Sequence, residues 1–225
     1  MKSILDCNLT FNWRPALWLV VVAALLPACQ FVPATPSPPV AEANSKSQNP
    51  YLAIKKSVSR DALARFSESI QLMVDQQWSA AEQSLLEIIK DYPELSGPMV
   101  NLAIVYEAQN QQQQAELYYQ QARKVNALNL DAHNRYAVFL REQGRFAESE
   151  QVYLDALAVW QEHPDSHRNL AILYDLYMGR FDDALNHYRQ YALLIDQEGA
   201  PEDKQVKRWI SDLQRRIKQQ ASAES

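Results

Sequence analysis

A segment that recurs with a period in the low thirties constrains the fold of this chain more than any other feature. The sequence NLAIVYEAQNQQQQAELYYQQA occupies residues 101–122, and altered copies occupy 134–156 and 169–192. None of the copies alternates apolar and polar residues as a half-buried strand would. A fixed period of this length is typical of a helical repeat array, in which each unit packs on its sequence neighbours.

Within the first of these copies, the apolar residues fall on two helix faces. Leu102 and Tyr106 are four positions apart and share one helix face. Ala115, Tyr119 and Ala122, spaced by four and three positions, share a face of a second helix. The small alanines allow two helix backbones to approach closely, while the tyrosines fill the space around them. The pattern therefore predicts two helices that pack against each other.

The residues between the two predicted helices suit a tight reversal of the chain. Asn110 lies there in the first copy and Gly144 in the next. Glycine adopts positive φ without steric cost, and asparagine tolerates it. We therefore expect helix–turn–helix units, and because one hairpin cannot bury its own apolar face, the units must stack.

The same positions resemble the tetratricopeptide repeat. Leu102, Ala103 and Tyr106 match its large–small–large triad on the first helix. Ala115, Tyr119 and Ala122 match its small–large–small triad on the second. The next copy continues the pattern with Tyr136, Ala137, Leu140, Gly144, Phe146, Ser149, Tyr153 and Ala156. The resemblance implies an all-α, right-handed superhelix of about four helix–turn–helix repeats and a C-terminal capping helix.

The resemblance places a repeat array at 58–199. Its predicted repeats lie at about 62–95, 96–129, 130–163 and 164–199, and the capping helix lies at 200–220. The fourth repeat carries one extra residue before the turn glycine, Gly179. Pro201 and the two acidic residues after it are predicted to form the first turn of the capping helix.

Residues 1–28 have the composition of a secretory signal. Basic residues precede an uncharged apolar run at 16–26. That run is shorter than the about 20 apolar residues that a membrane-spanning helix needs. The run ends in Leu-Pro-Ala-Cys at 26–29, which resembles the bacterial lipobox.

The lipobox resemblance implies that Cys29 becomes the lipidated first residue of the mature protein. A diacylglycerol and an amide-linked palmitate or similar acyl chain would together give stable anchoring, which one chain alone does not. Gln30 resembles the sorting pattern of Gram-negative outer-membrane lipoproteins, so the expected location is the outer membrane, facing the periplasm. The alternative is an uncleaved or ordinarily cleaved signal with an incidental cysteine.

The stretch after the cysteine, within 29–57, is rich in Pro, Ala and Ser and predicts an extended tether. It ends near an apolar segment, YLAI at 51–54. The first repeat carries a predicted apolar patch made of Phe66, Ile70, Met73 and Val74, with Leu63 beside it. Because an exposed patch of this kind usually has a partner, we expect either the YLAI segment or a helix of another protein to cover it.

The sequence offers little support for catalysis. It has no glycine-rich phosphate loop and no nucleophile motif, so we predict that the protein is not an enzyme and has no cofactor. The best metal candidates are His163 and His167, but Pro164 places His163 before the helix and separates the pair. We therefore predict no metal site. A net charge of −5 argues against nucleic-acid binding.

Function is therefore expected on the concave face, which first-helix residues line in this family. The resemblance places the following residues in a partner-binding groove: Asn101, Ile104, Glu107, Asn134, Arg135, Val138, Arg141, Arg168, Asn169, Ile172 and Asp175. The alternative for any one of them is a merely solvated surface position.

Three of these residues, Asn101, Arg135 and Asn169, resemble part of the carboxylate clamp of chaperone-binding members. The early-helix lysines of that clamp are absent, and the positions hold Gly97, Asp131 and Asp165. We therefore expect a mixed polar and apolar groove that takes an extended or helical peptide.

The lipid anchor and the repeats together are similar to the pilotin lipoproteins of type IV pili. The resemblance implies an adaptor that assists the assembly or stability of an envelope complex. Two alternatives stay open: an accessory component of a TonB/ExbB-type energy-transducing system, or a scaffold for cell-wall or protein-processing enzymes. The expected partners are envelope proteins or peptide segments and the membrane; the sequence leaves the oligomeric state undetermined.

Overall fold

Helical hairpins follow one another through the computed structural model, which describes residues 49–50 and 58–223. In chain order, the nine helices of this part are α1 (Arg60–Val74), α2 (Trp78–Asp91), α3 (Ser96–Ala108), α4 (Gln112–Val125), α5 (Leu130–Glu142), α6 (Phe146–Val159), α7 (Pro164–Leu173), α8 (Phe181–Gln197) and α9 (Lys204–Ala223). A π-helical turn, Tyr174–Met178, extends α7. No helix in these ranges is long and apolar enough to cross a membrane.

Several sequence predictions concern residues outside the described ranges. They are the signal at 1–28, the lipidation of Cys29, the tether and the YLAI segment at 51–54. All of these stay predictions.

Consecutive helices pair as hairpins, and the hairpins stack. The pairs are α1 with α2, α3 with α4, α5 with α6, and α7 with α8, while α9 packs on α8. The first helices also contact one another in succession, α1 with α3, α3 with α5, and α5 with α7. The predicted fold class is thereby confirmed: an all-α, right-handed superhelix of four helix–turn–helix repeats closed by a capping helix.

The turns inside the hairpins use left-handed residues. Asn110 and Gly144 have φ of 61° and 75°, which confirms the expectation from the sequence. Gln76 takes the same place in the first hairpin with φ of 56°. A residue in this conformation allows the N–H of the following residue to donate to a carbonyl near the end of the preceding helix. The Gln111 N–H, for example, donates to the Tyr106 carbonyl at 2.8 Å. These bonds satisfy carbonyls at the helix end that otherwise lack a partner.

The core of each later hairpin is a buried tyrosine on the second helix. Tyr119, Tyr153 and Tyr188 are at most 1% exposed. Ala115 and Ala122 flank Tyr119 one helical turn away on either side and are fully buried. Burial of a large apolar side chain contributes roughly 1.5–3 kcal/mol, so these repeated positions supply much of the stability of the stack.

The extra residue of the fourth repeat is absorbed in the π-helical turn. The Gly179 N–H donates to the Tyr174 carbonyl five residues earlier, and Gly179 itself has φ of 64°. Arg180 then donates to the same carbonyl at 3.0 Å. A π turn is the usual way in which a helix takes up one inserted residue, and such turns often occur at functional sites.

The capping helix begins later than the sequence predicts. Pro201 and Glu202 precede it, and α9 starts at Lys204. The Asp203 carboxylate accepts hydrogen bonds from the backbone of Gln205 at 2.9 Å and of Val206 at 3.1 Å. An aspartate is better used as an N-cap than inside the first turn, because its side chain replaces the missing backbone acceptors.

Glutamates on the second helices join each repeat to the next one. Glu150 on α6 accepts from the Tyr174 hydroxyl at 2.7 Å and from Arg180 at 2.6 Å. One repeat earlier, Glu116 on α4 accepts from Arg145 at 2.7 Å. Because donor and acceptor belong to successive repeats, these bonds fix how the repeats stack.

Candidate functional site

The first helices α1, α3, α5 and α7 form one continuous surface, which we call the inner face. Most residues of the predicted groove are half-buried on it: Asn101, Ile104, Glu107, Val138, Arg141, Arg168, Asn169 and Ile172. Arg135 is exposed. Ile104, Val138 and Ile172 pack against the core and form an apolar floor between the polar side chains. This mixture of apolar floor and polar rim suits an extended or helical peptide.

Asn134 differs from the prediction because it is buried between two repeats. It is only 7% exposed, and its side-chain amide donates to the Leu130 carbonyl at 3.0 Å and to Ser166 on α7 at 2.9 Å. Its Oδ1 accepts from Asn169 at 3.3 Å. Asn134 is therefore engaged in holding α5 and α7 together and offers little to a partner.

Asp175 is likewise buried rather than open to the groove. Arg216 of α9 donates to its carboxylate at 2.9 Å. The same guanidinium lies 4.0 Å from the centre of the Phe181 ring. The capping helix thus reaches across repeat four, which the sequence did not indicate, because the two residues are far apart in the chain.

Arg168 is also turned toward the capping helix. Its guanidinium lies 5.6 Å from the centre of the Trp209 ring and 3.8 Å from the Asp203 carboxylate. Trp209 in turn packs on Tyr188 with the ring centres 5.4 Å apart. These contacts cover the inner face at its C-terminal end, so the open part of the groove lies on repeats two and three.

Glu107 is half-buried and bound by its own repeat. The Tyr119 hydroxyl donates to its carboxylate. Burial raises the pKa of the Glu107 carboxyl above its ordinary value, and the hydrogen bond from Tyr119 opposes that change. Burial and the bond to Glu107 both raise the pKa of Tyr119, so the hydroxyl stays a donor at neutral pH.

The two arginines of α5 have different surroundings. Arg135 is exposed and pairs with Asp131 one turn earlier at 3.2 Å, a contact of small energy at the surface. Arg141 lies against the Tyr177 ring, 5.4 Å from its centre. Its Nε is buried and has no hydrogen-bond partner in the described part of the chain.

The predicted apolar patch on the first repeat is only partly exposed. Ile70 and Val74 are 42% and 67% exposed, and Leu63 beside them is 54% exposed. Phe66 and Met73 instead pack against the core, which corrects their assignment to the patch. The five residues lie on one stripe of α1, but Phe66 and Met73 lie on its edge toward the core, whereas Leu63, Ile70 and Val74 lie on the edge toward solvent.

The histidines are buried or half-buried in the stack. His167 and His187 face each other with their Nδ1 atoms 2.8 Å apart, and His163 contacts Ser166 at 2.8 Å. Burial lowers the pKa of His187 to about 4, with the nearby His167 adding to the effect. Among the described residues, no group of three or more His, Cys, Asp or Glu side chains is placed to hold a metal ion.

The sequence did not identify the residues that shape the ends of the groove. Trp209 and Arg216 belong to α9, whose placement depends on packing. Tyr177 and Leu176 lie in the π-helical turn and are 44% and 66% exposed. The extra residue before Gly179 was the available signal for the last two, since an insertion in a regular repeat marks a local departure from it.

Comparisons with known proteins agree with this architecture. Residues 128–192 match the tetratricopeptide repeat family. No curated protein sequence matches the chain. Pseudomonas aeruginosa PilF is a similar solved structure, with 20% identity, a TM-score of 0.53, and coverage of 68% of this chain and 74% of that one.

Two further structures are similar over comparable lengths. A thermophilic tetratricopeptide-repeat protein of Thermus thermophilus has 21% identity and a TM-score of 0.56, covering 68% of this chain and 81% of its own. MamA of Desulfovibrio magneticus RS-1 has 12% identity and a TM-score of 0.56, covering 75% and 92%. At these identities the likeness concerns the fold. The described part of the chain therefore folds as a tetratricopeptide-repeat array, an architecture suited to binding other proteins.

Proposed function

We propose that the protein is a non-catalytic adaptor that binds a protein partner on its inner face. The observation that carries this proposal is the open stretch of α3 and α5, where Asn101, Ile104, Arg135 and Val138 combine half-buried apolar side chains with polar groups. The neighbouring end of the face is already covered by α9. A partner segment is therefore expected along repeats two and three.

We further propose that the adaptor is anchored to the outer membrane through Cys29 and assists the assembly or stability of an envelope complex. The support for the anchor is the lipobox resemblance at 26–29. The support for the role is the resemblance to pilotin lipoproteins; the likeness to PilF adds the fold alone. The repeat array would then be displayed to the periplasm on its tether.

Site-specific photocrosslinking in intact cells tests the binding surface. A photoreactive amino acid at Asn101 or at Arg135 should capture the same envelope protein. The matched control is Leu117, which lies on α4 in the second row of helices and is 49% exposed. Capture from Leu117 alone, or from none of the three positions, would contradict binding on the inner face.

The identity of the captured protein separates the possible roles. A secretin would favour the pilotin-like role. A TonB/ExbB-type component, or an enzyme that acts on the cell wall or on proteins, would favour one of the two alternatives instead. Loss of that protein from its complex on deletion of the adaptor gene would give the functional confirmation.

Metabolic labelling with an alkyne analogue of palmitate tests the anchor. Cys29→Ala should lose the label and leave the outer-membrane fraction. Cys7→Ala is the matched control, since Cys7 lies in the segment that we expect to be removed. A label that survives Cys29→Ala would refute lipidation at this residue.

A further inference from the structure

Repeat three leaves two buried hydrogen-bond donors without an acceptor. In the part of the chain that the structure describes, Arg141 Nε and the Tyr153 hydroxyl are the buried side-chain polar atoms that have no hydrogen-bond partner. Buried polar groups in native proteins are nearly always paired, so each exception calls for a physical reason. Both residues belong to the same hairpin, Arg141 on α5 and Tyr153 on α6.

The equivalent pair in repeat two is satisfied by a carboxylate. Tyr119 corresponds to Tyr153 one repeat earlier, and Glu107 corresponds to Arg141. The Tyr119 hydroxyl donates to the Glu107 carboxylate. In repeat four the corresponding position again carries an acid, Asp175. Repeat three therefore has an arginine at the position where repeats two and four have a carboxylate.

Part of the Arg141 side chain can be reached from the inner face. Glu107 is itself only half-buried, so the equivalent place in repeat three lies near the surface. Arg141 is also half-buried, although its Nε is covered. A carboxylate that approaches from the inner face would meet the guanidinium, whereas the Tyr153 hydroxyl is covered.

Among the described residues, Arg141 is the arginine of the predicted groove that has no ion-pair partner. Arg135 pairs with Asp131 at 3.2 Å, and Arg168 has Asp203 at 3.8 Å. Within the described residues, no carboxylate lies within ion-pair distance of Arg141, although the chain as a whole carries a charge of −5. A cation in such a place attracts an anionic group, and a partly desolvated one binds it more strongly than a surface lysine would.

The π-helical turn adds an apolar wall beside this cation. Tyr177 lies over the Arg141 guanidinium and also packs on Phe146, with the two ring centres 5.3 Å apart. Leu176 next to it is exposed. The inserted residue of repeat four has thus placed the accessible Tyr177 ring next to an arginine that has no counterion among the described residues.

We propose that Arg141 anchors a glutamate side chain of the partner, whose neighbouring apolar residue packs on Tyr177. Glutamate is the expected acid because repeat two itself meets its tyrosine hydroxyl with a glutamate, Glu107. The guanidinium can hold a carboxylate through two parallel hydrogen bonds. This inference rests on the proposed protein-binding function and specifies the chemistry of the partner.

Selection from a random peptide library on the full chain tests the inference. The library peptides are fused to the display protein through their C-termini, so that every carboxylate comes from a side chain. Peptides with a glutamate next to an aromatic or aliphatic residue should be enriched. An enriched peptide, resynthesised with an amidated C-terminus, should lose at least about tenfold in affinity when its glutamate is replaced by glutamine.

Three variants identify the residue that binds the glutamate. Arg141→Gln should lower the affinity for the glutamate peptide to the same degree. On that variant, replacing the glutamate of the peptide by glutamine should cause no further loss of affinity. Arg141→Glu supplies a carboxylate to Tyr153 from the chain itself and should abolish binding while the far-ultraviolet circular dichroism stays unchanged. Arg189→Gln, an exposed arginine on α8, is the matched control and should bind as the unaltered chain does.

Each other outcome overturns the inference in a recognisable way. Glutamate-dependent binding that survives Arg141→Gln would place the acid elsewhere. Enrichment only in a second library with free C-termini would show that the bound carboxylate is the C-terminus of the peptide and not a glutamate side chain. Enriched peptides without acids that are lost on Asn101→Arg would refute this inference but leave the inner-face function intact. The absence of any peptide sensitive to Arg141 or Asn101 would count against both.

Discussion

The guanidinium of Arg216 in α9 donates to the buried carboxylate of Asp175 in the π-helical turn at 2.9 Å. The contact joins the capping helix to the inner face of the fourth repeat. It also neutralises an aspartate that the sequence places in the binding groove. The capping helix therefore covers the final stacked surface and limits the groove to the repeats before it.

Loss of the Arg216 side chain should destabilise the C-terminal end of the array. In Arg216→Met the buried Asp175 carboxylate loses its cation, and because Arg216 is partly exposed we expect a loss of about 1–2 kcal/mol rather than the full cost of a buried pair. Urea unfolding of the two proteins measures the difference. Arg215→Met is the matched control, since Arg215 pairs with the exposed Asp212, and it should change stability by less than about 0.5 kcal/mol.

The glutamates between the repeats should contribute more than surface ion pairs do. Glu150→Gln replaces the acceptor of both Tyr174 and Arg180 by a neutral amide, and we expect a loss of about 1–2 kcal/mol. Glu148→Gln affects a pair with Arg145 at the surface and should cost less than Glu150→Gln does. Equal effects in thermal unfolding would show that burial of Glu150 does not strengthen its bonds.

Acid should destabilise the fourth repeat through His187. Burial lowers the pKa of His187 from its ordinary 6.5 to about 4, so the unfolded chain binds this proton more readily than the native protein. The stability is therefore complete above pH 6.5 and falls as the pH drops toward 4, by at most about 3 kcal/mol for this group.

Variants at His187 test that assignment. His187→Gln should flatten the dependence of unfolding free energy on pH between 6.5 and 4. Asn186→Gln changes its exposed neighbour and should keep the full slope. Some slope will remain in His187→Gln, because burial also lowers the pKa of His133, His163 and His167. An unchanged slope would mean that His187 does not carry the effect.

The left-handed turn residues should respond to substitution in opposite directions. Gln76 has φ of 56°, and Gln76→Gly should stabilise the first hairpin by roughly 0.5–1 kcal/mol because the strain of a side chain at positive φ is removed. Gly144→Ala should destabilise by about 1 kcal/mol. An added Cβ at Gly144 would meet no atom within 4 Å, so the cost is one of backbone conformation alone. Thermal melts would contradict this if both changes had the same sign.

Much of the fold follows from spacings that act over a few residues. The alanines and tyrosines of each copy define two helix faces, and Asn110 and Gly144 fix the reversals between them. The start of α9 was misplaced because Pro201 and Asp203 are both favourable near a helix start, and only the hydrogen bonds of Asp203 show which of them caps it.

The candidate site was less predictable, because exposure on a stacked array depends on the neighbouring repeat. Counting positions places Asn134 and Asp175 on the inner face, yet one is covered by α7 and the other by Arg216. On the first repeat, Phe66 and Met73 are half-buried against the core while Val74 stays exposed. A period in the sequence tells which side of a helix a residue occupies, and not what lies opposite it.

The sequence by itself determined the repeating unit, the all-α class and the order of the hairpins, because helix faces and turn conformations depend on residues close together in the chain. The tertiary structure decided which inner-face side chains remain available. Among the described residues, Arg141 Nε and the Tyr153 hydroxyl were left without an acceptor, and Arg216 was brought to Asp175. Those outcomes depend on distances between residues far apart in sequence, which become defined when the repeats stack.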